Sequence, residues 1–442
     1  MSKNNAVEAE NPEIWGEEFI SSYIQIADQE SHDNPRMHLG LALGLLGESL
    51  RNCSFKNGSE PCRVHPLVFQ KSGSGKESAF NVAERVANRV DKRLDDEMSF
   101  DFYSVDNITN GNLVGTRVDG QHKQGVADQH DVLGLREAKD LFSHQDVRRR
   151  LRIIMDEEEV TREMREGTIT TDSSCTIVGT VPPREISAEK VSELVGEGTL
   201  ARPLYFFTEV NLSDTTETIG QILTETSVDE ERERSISADK QKELTQRICR
   251  TLSHITEHYS EGIEFKIELS QQTLEAMIRK RIETDLEYYS EGVGVIVQPM
   301  LTRYTIHALR IACIMAALDN CSHTVEQDHL KQAMTYWGQS FSSMLDYFAR
   351  RRDEISGVNR AAMRRQRDKA RDKLDLLTKI LEIPNVRQAR LAEELRVSPE
   401  TIRKHANELE DQGAIEISNG GNSAQYLPVD NSRNHNVTDF ME

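Results

Sequence analysis

Residues 66–90 read PLVFQKSGSGKESAFNVAERVANRV, a short apolar run, a glycine-rich turn ending in lysine, then a stretch of helical periodicity. A strand that breaks at such a turn and restarts as a helix aims several backbone N–H groups at one point. The helix N-terminus adds its partial positive charge there. The strand must then lie inside a sheet with the helix on its face, which is the plan of an α/β domain. Ser72, Gly73, Ser74 and Gly75 supply the concave backbone, and Lys76 supplies a charge for the β and γ oxygens of ATP. Two positions depart from G-x-x-x-x-G-K-[ST]. The first glycine falls on Gln70, and the residue after the lysine is Glu77, where a hydroxyl normally holds Mg²⁺. Glu77 thereby becomes the candidate Mg²⁺ ligand, and Ser78 substitutes for it only if the loop shifts by one residue.

Short apolar runs alternate with helical stretches from about residue 60 to 210, as in HPLVFQ, DVLGLRE, CTIVGTVPP and ARPLYFFTEV. Residues 13–52 and 245–350 instead carry apolar residues at helical spacing. The expected organisation is an N-terminal helical segment (1–58), an α/β P-loop core (59–244) and a helical lid (245–349). A basic linker helix (350–373), a helix-turn-helix with a hairpin (374–430) and a disordered tail (431–442) follow. The linker holds ten Arg or Lys against four Asp or Glu, a stretch suited to tracking phosphates or to a solvated helix.

Hydrolysis of a nucleotide also needs an acidic residue at the end of a neighbouring strand. In DVLGLREAKDLF that residue is Glu137, with Arg136 standing where a metal-binding aspartate belongs. The alternative, Asp156-Glu157 in RRRLRIIMDEEEV, follows Val147, Leu151, Ile154 and Met155 at helical spacing, so a helix is favoured there.

The order of these elements resembles the AAA+ core of minichromosome maintenance (MCM) helicases and related helicase-like proteins of mobile elements, over residues of about 60 to 340. The resemblance implies that Glu137 activates water. It makes VTREMREGTITT a hairpin with Gly167 near its turn, projecting into a central channel with Arg162 and Arg165 on DNA phosphates. It makes CTIVGTVPP the sensor strand, with Val181 where an asparagine is expected and Thr180 as the nearest polar replacement at the nucleotide. Arg202 in LARPLYFF takes the place of the arginine finger that reaches a neighbouring subunit, and Arg303 in RYTIHALRIA that of the second sensor. HTVEQDHLKQAM matches the final helix of the lid. ATP and Mg²⁺, a hexameric ring of identical chains and DNA as partner follow from the same resemblance, as does a replicative helicase role. The family's zinc-binding N-terminal domain has no counterpart here. Because Gln70, Glu77, Arg136 and Val181 all fall at the chemistry, a second reading stays open. In it an AAA+ scaffold has lost hydrolysis and serves as a DNA-binding regulator or replication-initiation factor.

In RLAEELRVSPETIRKHANELEDQGAIEISNGGNSAQYLPV, Ser398 is placed to cap a helix, with Pro399 first and Glu400 second in it. That helix presents Thr401, Arg403, Lys404, His405 and Asn407, while Ile402, Ala406 and Leu409 face inward. The pattern is that of a winged helix-turn-helix, whose third helix enters the DNA major groove. Such modules also dock proteins.

A formal charge of −20 would ordinarily argue against nucleic acid. Arginine, however, outnumbers lysine 37 to 17, and an acidic, lysine-poor chain fits a proteome adapted to high salt, where only local charge is informative. The polar, acidic start MSKNNAVEAENPE is unlike a signal peptide, and no apolar run reaches the ~18–20 residues of a bilayer span, so a soluble cytoplasmic protein is expected. The six cysteines form no CxxC pair and read as small buried hydrophobes.

Overall fold

The structure, a computed structural model, describes residues 17–31, 35–56, 58–70, 76–106, 108–118, 121–138, 145–157, 160–164, 167–171, 175–182, 187–196, 198–207, 237–288, 291–382, 386–395, 397–411, 415–418 and 424–428. It divides into two compact units, Met1–Ile355 and Ser356–Glu442. The expected tail, 431–442, lies outside the described residues.

Unit one opens with helices α1 (Glu17–Ser31) and α2 (Pro35–Ser49) and a short hairpin, β1 (Ser54–Phe55) and β2 (Glu60–Pro61). Strand β3 (Pro66–Phe69) then runs to the glycine-rich turn, and α3 (Lys76–Asp91) starts at the lysine. Next come β4 (Phe102–Val105), α4 (Asn110–Val114), β5 (Gly115–Val118), β6 (Gln121–Gln124) and α5 (Val126–Gln129). They are followed by β7 (Val132–Leu135), α6 (Gln145–Met155), β8 (Val160–Met164), β9 (Gly167–Thr171) and β10 (Thr176–Val181). Helix α7 (Ala188–Gly196), a 3₁₀ turn (Thr199–Ala201) and β11 (Leu204–Phe207) complete the α/β part. The helical remainder is α8 (Ala238–His258), β12 (Glu264–Ile267), α9 (Gln271–Tyr288), α10 (Glu291–Leu318), β13 (Thr324–Val325) and α11 (Gln327–Glu382), the last of which crosses into unit two.

Five strands form one all-parallel sheet in the order β11-β3-β10-β7-β4. Counted along the chain that is 5-1-4-3-2, with the strand before the glycine-rich turn second from an edge. Parallel strands covered on both faces carry unbroken apolar runs, and PLVF, VLGL, TIVGTV and LYFF are buried at every position. One face packs on α2, where a Cβ added to Gly44 would lie 2.9 Å from the Val178 side chain, so any larger residue would push the helix off the sheet. The other face is aromatic. Phe69 stacks on Tyr205, and Tyr347 of α11 and Tyr304 of α10 close over them.

The expected N-terminal segment is a layer of this core, since α1, α2 and α3 pack together with α8. The expected break at residues 244–245 falls within α8, and β1 pairs in parallel with β12, tying the first 58 residues to the lid. The expected linker 350–373 is part of the continuous helix α11. Residues 296–318 of α10 correct the reading of the apolar runs. They are long and apolar enough to span a bilayer (mean hydropathy 1.2), but most of them are buried in the core. All six cysteines are buried and free.

One insertion escaped the sequence reading. Strands β5 and β6 pair antiparallel with Val118 opposite Gln121, leaving Asp119-Gly120 between them. Asp-Gly between short runs is a strong hairpin signal. Gly125 closes its base, where a Cβ would come within 2.2 Å of the Leu113 carbonyl oxygen.

In unit two, β14 (Val386–Arg387), α12 (Gln388–Leu395), α13 (Pro399–Asp411), β15 (Ile415–Ser418) and β16 (Gln425–Pro428) follow the end of α11. The strands make an antiparallel sheet in the order β14-β16-β15. Leu376, Leu391, Ile402, Ala406, Leu409 and Tyr426 belong to its separate core.

Candidate nucleotide site

The turn between β3 and α3 carries the densest set of expected functional residues. Ser72, Gly73, Ser74 and Gly75 lie outside the described residues. Lys76 is the first residue of α3, and its Nζ lies 3.3 Å from Oε1 of Glu137, two residues beyond the end of β7. Two expected site residues, 61 positions apart in sequence, therefore meet at the C-terminal edge of the sheet.

Strand β10 lies between their strands and fixes the glutamate's backbone. Thr180 Oγ1 donates to the Arg136 carbonyl oxygen (2.5 Å), and the Ala138 N–H donates to the Thr180 carbonyl (2.8 Å). The Thr180 residue is thus buried, and its hydroxyl and carbonyl both bond the backbone of residues 136–138. Val181, where an asparagine was expected, is buried, and its carbonyl accepts from the Gln70 N–H. Gln70 is buried as well, its amide against Met37 Sδ at 3.2 Å.

Arg136 reaches sideways to the next strand. Its Nη2 donates to Ser104 Oγ (2.9 Å), its backbone N–H to the Val105 carbonyl (2.9 Å), and its buried Nε–H has no hydrogen-bond partner among the described residues. Glu77 is exposed in the first turn of α3, next to Lys76. Ser78 is half-buried two positions on. A magnesium ion asks for hard oxygen donors in octahedral array, usually one or two carboxylates together with the phosphates. Here the strand end offers a guanidinium, Glu137 is paired with Lys76, and no cluster of three metal-ligating side chains occurs among the described residues. The guanidinium at the strand end suits a phosphate and does not suit Mg²⁺.

The two arginines expected to act on nucleotide sit together elsewhere. Arg202 precedes β11, whose Leu204 is in register with Pro66 at the start of β3, so it marks the N-terminal edge of the sheet. Its guanidinium binds Asp156 Oδ2 (2.6 Å), and Arg303 of α10 binds Asp156 Oδ1 (2.5 Å). They border a cavity of about 180 Å³ with His307 and Arg310. Burial and the adjacent Arg310 push the His307 pKa down to about 3, and burial likewise lowers that of Arg310. The Asp156-Glu157 pair follows the helix favoured for it. Asp156 serves the arginines, and Glu157 binds the buried Arg63 at 3.1 Å. That removes the pair from the Lys76 site.

The expected hairpin is present. Strands β8 and β9 pair with Met164 opposite Gly167, between α6 and the strand β10. Arg162 lies on β8, and Arg165 lies outside the described residues. In unit two Ser398 caps α13, its Oγ accepting from the Thr401 N–H at 3.1 Å, while the two hydroxyls lie 2.8 Å apart. Arg403, Lys404 and Asn407 are exposed along one side of α13, and Ile402, Ala406 and Leu409 are buried. His405, expected on the exposed face, is instead buried with the core side, because it falls next to Ala406 and three residues after Ile402.

No protein-family model matches the chain, and no curated protein matches it.

Proposed function

We propose that the chain is an MCM-like AAA+ protein that binds ATP at the junction between two copies and acts on DNA as a helicase-type ATPase. The observation that carries this reading is the meeting of Lys76, at the head of α3, with Glu137 beyond β7. The sensor strand of the resemblance lies between their two strands. A phosphate at the N-terminus of α3 would be held by backbone N–H groups and the lysine. Water beside it would lie within reach of the glutamate. Arg202 and Arg303 would complete the site of the adjacent copy, and a hexameric ring in the cytoplasm is the assembly the resemblance implies. The position of the β8–β9 hairpin, immediately before the sensor strand, supports a DNA-gripping role for Arg162 and Arg165. A winged helix-turn-helix is the reading that unit two supports, from its capped third helix and its hairpin.

Arg136 and the committed hydroxyl of Thr180 favour a second reading, in which nucleotide binds without turnover and the protein regulates or initiates replication. ATP binding and hydrolysis, with and without DNA in molar KCl, separate the two. Lys76→Ala is expected to weaken ATP binding by about tenfold or more, the scale of a lost charge-assisted hydrogen bond. Unchanged binding in that variant excludes a phosphate site. For the DNA role, Arg403→Glu with Lys404→Glu should weaken duplex binding and flatten its salt dependence by roughly two phosphate contacts. Unchanged affinity at matched salt makes unit two a protein-docking module.

A further inference from the structure

We propose that the Lys76 site takes its nucleotide as the metal-free triphosphate, with Arg136 supplying the positive charge that Mg²⁺ brings elsewhere. The inference rests on the reading of this site as a nucleotide site.

Side chains alternate along β7, so Arg136 leaves the strand on the same face as Gly134. A Cβ on Gly134 would lie 3.1 Å from the ring of Phe80, which identifies that face as the one covered by α3. Arg136 therefore leaves the strand end on the face covered by α3, its guanidinium turned to Ser104 of β4. Its backbone is held on both flanks, by the Val105 carbonyl and by Thr180. One N–H is fixed on Ser104, and the buried Nε–H has no hydrogen-bond partner among the described residues.

A guanidinium stays charged at every relevant pH, and its planar fork matches phosphate oxygens. At the metal's usual position it repels a divalent cation and attracts the ligand that the cation would have neutralised. A buried N–H without a partner is costly, and a phosphate oxygen would satisfy it.

The test is calorimetric titration of the full chain with ATP at fixed ionic strength, once in EDTA and once in excess MgCl₂. The dissociation constant in EDTA is expected to lie within about threefold of that in Mg²⁺, or below it. Arg136→Ala should lose metal-free binding by about tenfold or more, the scale of a charge-assisted hydrogen bond. Arg136→Asp should shift the preference toward Mg²⁺. Wild-type binding more than about threefold tighter with Mg²⁺ overturns the inference and leaves the nucleotide site standing. So does metal-free binding by Arg136→Ala equal to wild type. Absence of ATP binding in both solutions overturns the nucleotide site, and the inference falls with it. The wild-type comparison decides the matter without requiring any variant to fold.

Discussion

The two edges of the five-stranded sheet make instructive opposites. At the C-terminal edge a lysine from a helix start meets a glutamate from a strand end, Lys76 with Glu137. At the N-terminal edge two arginines from distant segments share one aspartate, Arg202 and Arg303 on Asp156. Each edge pairs cations with a carboxylate, one with one at Lys76 and two with one at Asp156. Four residues of strand at ~3.3 Å each separate the edges by about 13 Å, beyond the reach of any side chain across the sheet. Within one chain, the side chains of Arg202 and Arg303 therefore do not reach Lys76 directly. If both edges serve nucleotide, as proposed, they are half-sites facing opposite ways, the arrangement that a ring or filament of identical subunits requires.

The largest effect expected from breaking this arrangement comes from Arg202→Ala. If the N-terminal edge completes a neighbour's site, ATP hydrolysis should fall by about 10³–10⁵, the range for loss of an arginine supplied in trans. ATP-driven assembly should fail as well, while ATP binding by the single chain persists. Mixing this variant with Lys76→Ala should recover part of the activity, because each brings the half the other lacks. Unchanged hydrolysis and assembly would return Arg202 to a plain ion pair with Asp156.

A smaller effect separates the edges by pH. His307 lies at the N-terminal edge with a pKa near 3, against about 6.5 in the unfolded chain. Between those values the unfolded chain binds the extra proton. Stability from this group is thus complete above about pH 6.5 and is lost as the pH falls toward 3, on the order of 5 kcal/mol in all. Denaturant midpoints at pH 7.5 and 4.5 should differ accordingly, and His307→Gln should flatten the slope. An equal slope in the variant removes His307 from the account.

The smallest effect belongs to Thr180→Val, which deletes the hydroxyl held by the Arg136 carbonyl. A loss of about 1 kcal/mol in stability is expected, with weaker ATP binding because residues 136–138 are less firmly held. Unaltered ATP affinity at reduced stability would show that the clamp supports the fold without positioning Glu137.

Much of this architecture was legible in the chain. Unbroken apolar runs such as VLGL and TIVGTV reported strands buried on both faces, and SGSGK before a periodic stretch reported the helix start at Lys76. Ser398-Pro399 announced the capped helix of unit two, because a cap is a local hydrogen bond. The β5–β6 hairpin carried its Asp-Gly signal and was missed through its weak, polar strands. Parallel pairing of β1 with β12, and packing of α1 and α2 on α8, join segments about 200 residues apart, which local patterns along the chain do not report.

By itself the sequence determined what depends on neighbours along the chain: the element types, the turn that ends in Lys76, the helix cap and the inward face of α13. Only the tertiary structure decided which charges meet. Lys76 finds Glu137, Arg202 and Arg303 converge on Asp156, Arg136 turns to Ser104 and the hydroxyl of Thr180 is taken by a carbonyl. The physical reason is range. Periodicity and capping act over a few residues, whereas these ion pairs and hydrogen bonds depend on sheet order, which places distant strands about 5 Å apart.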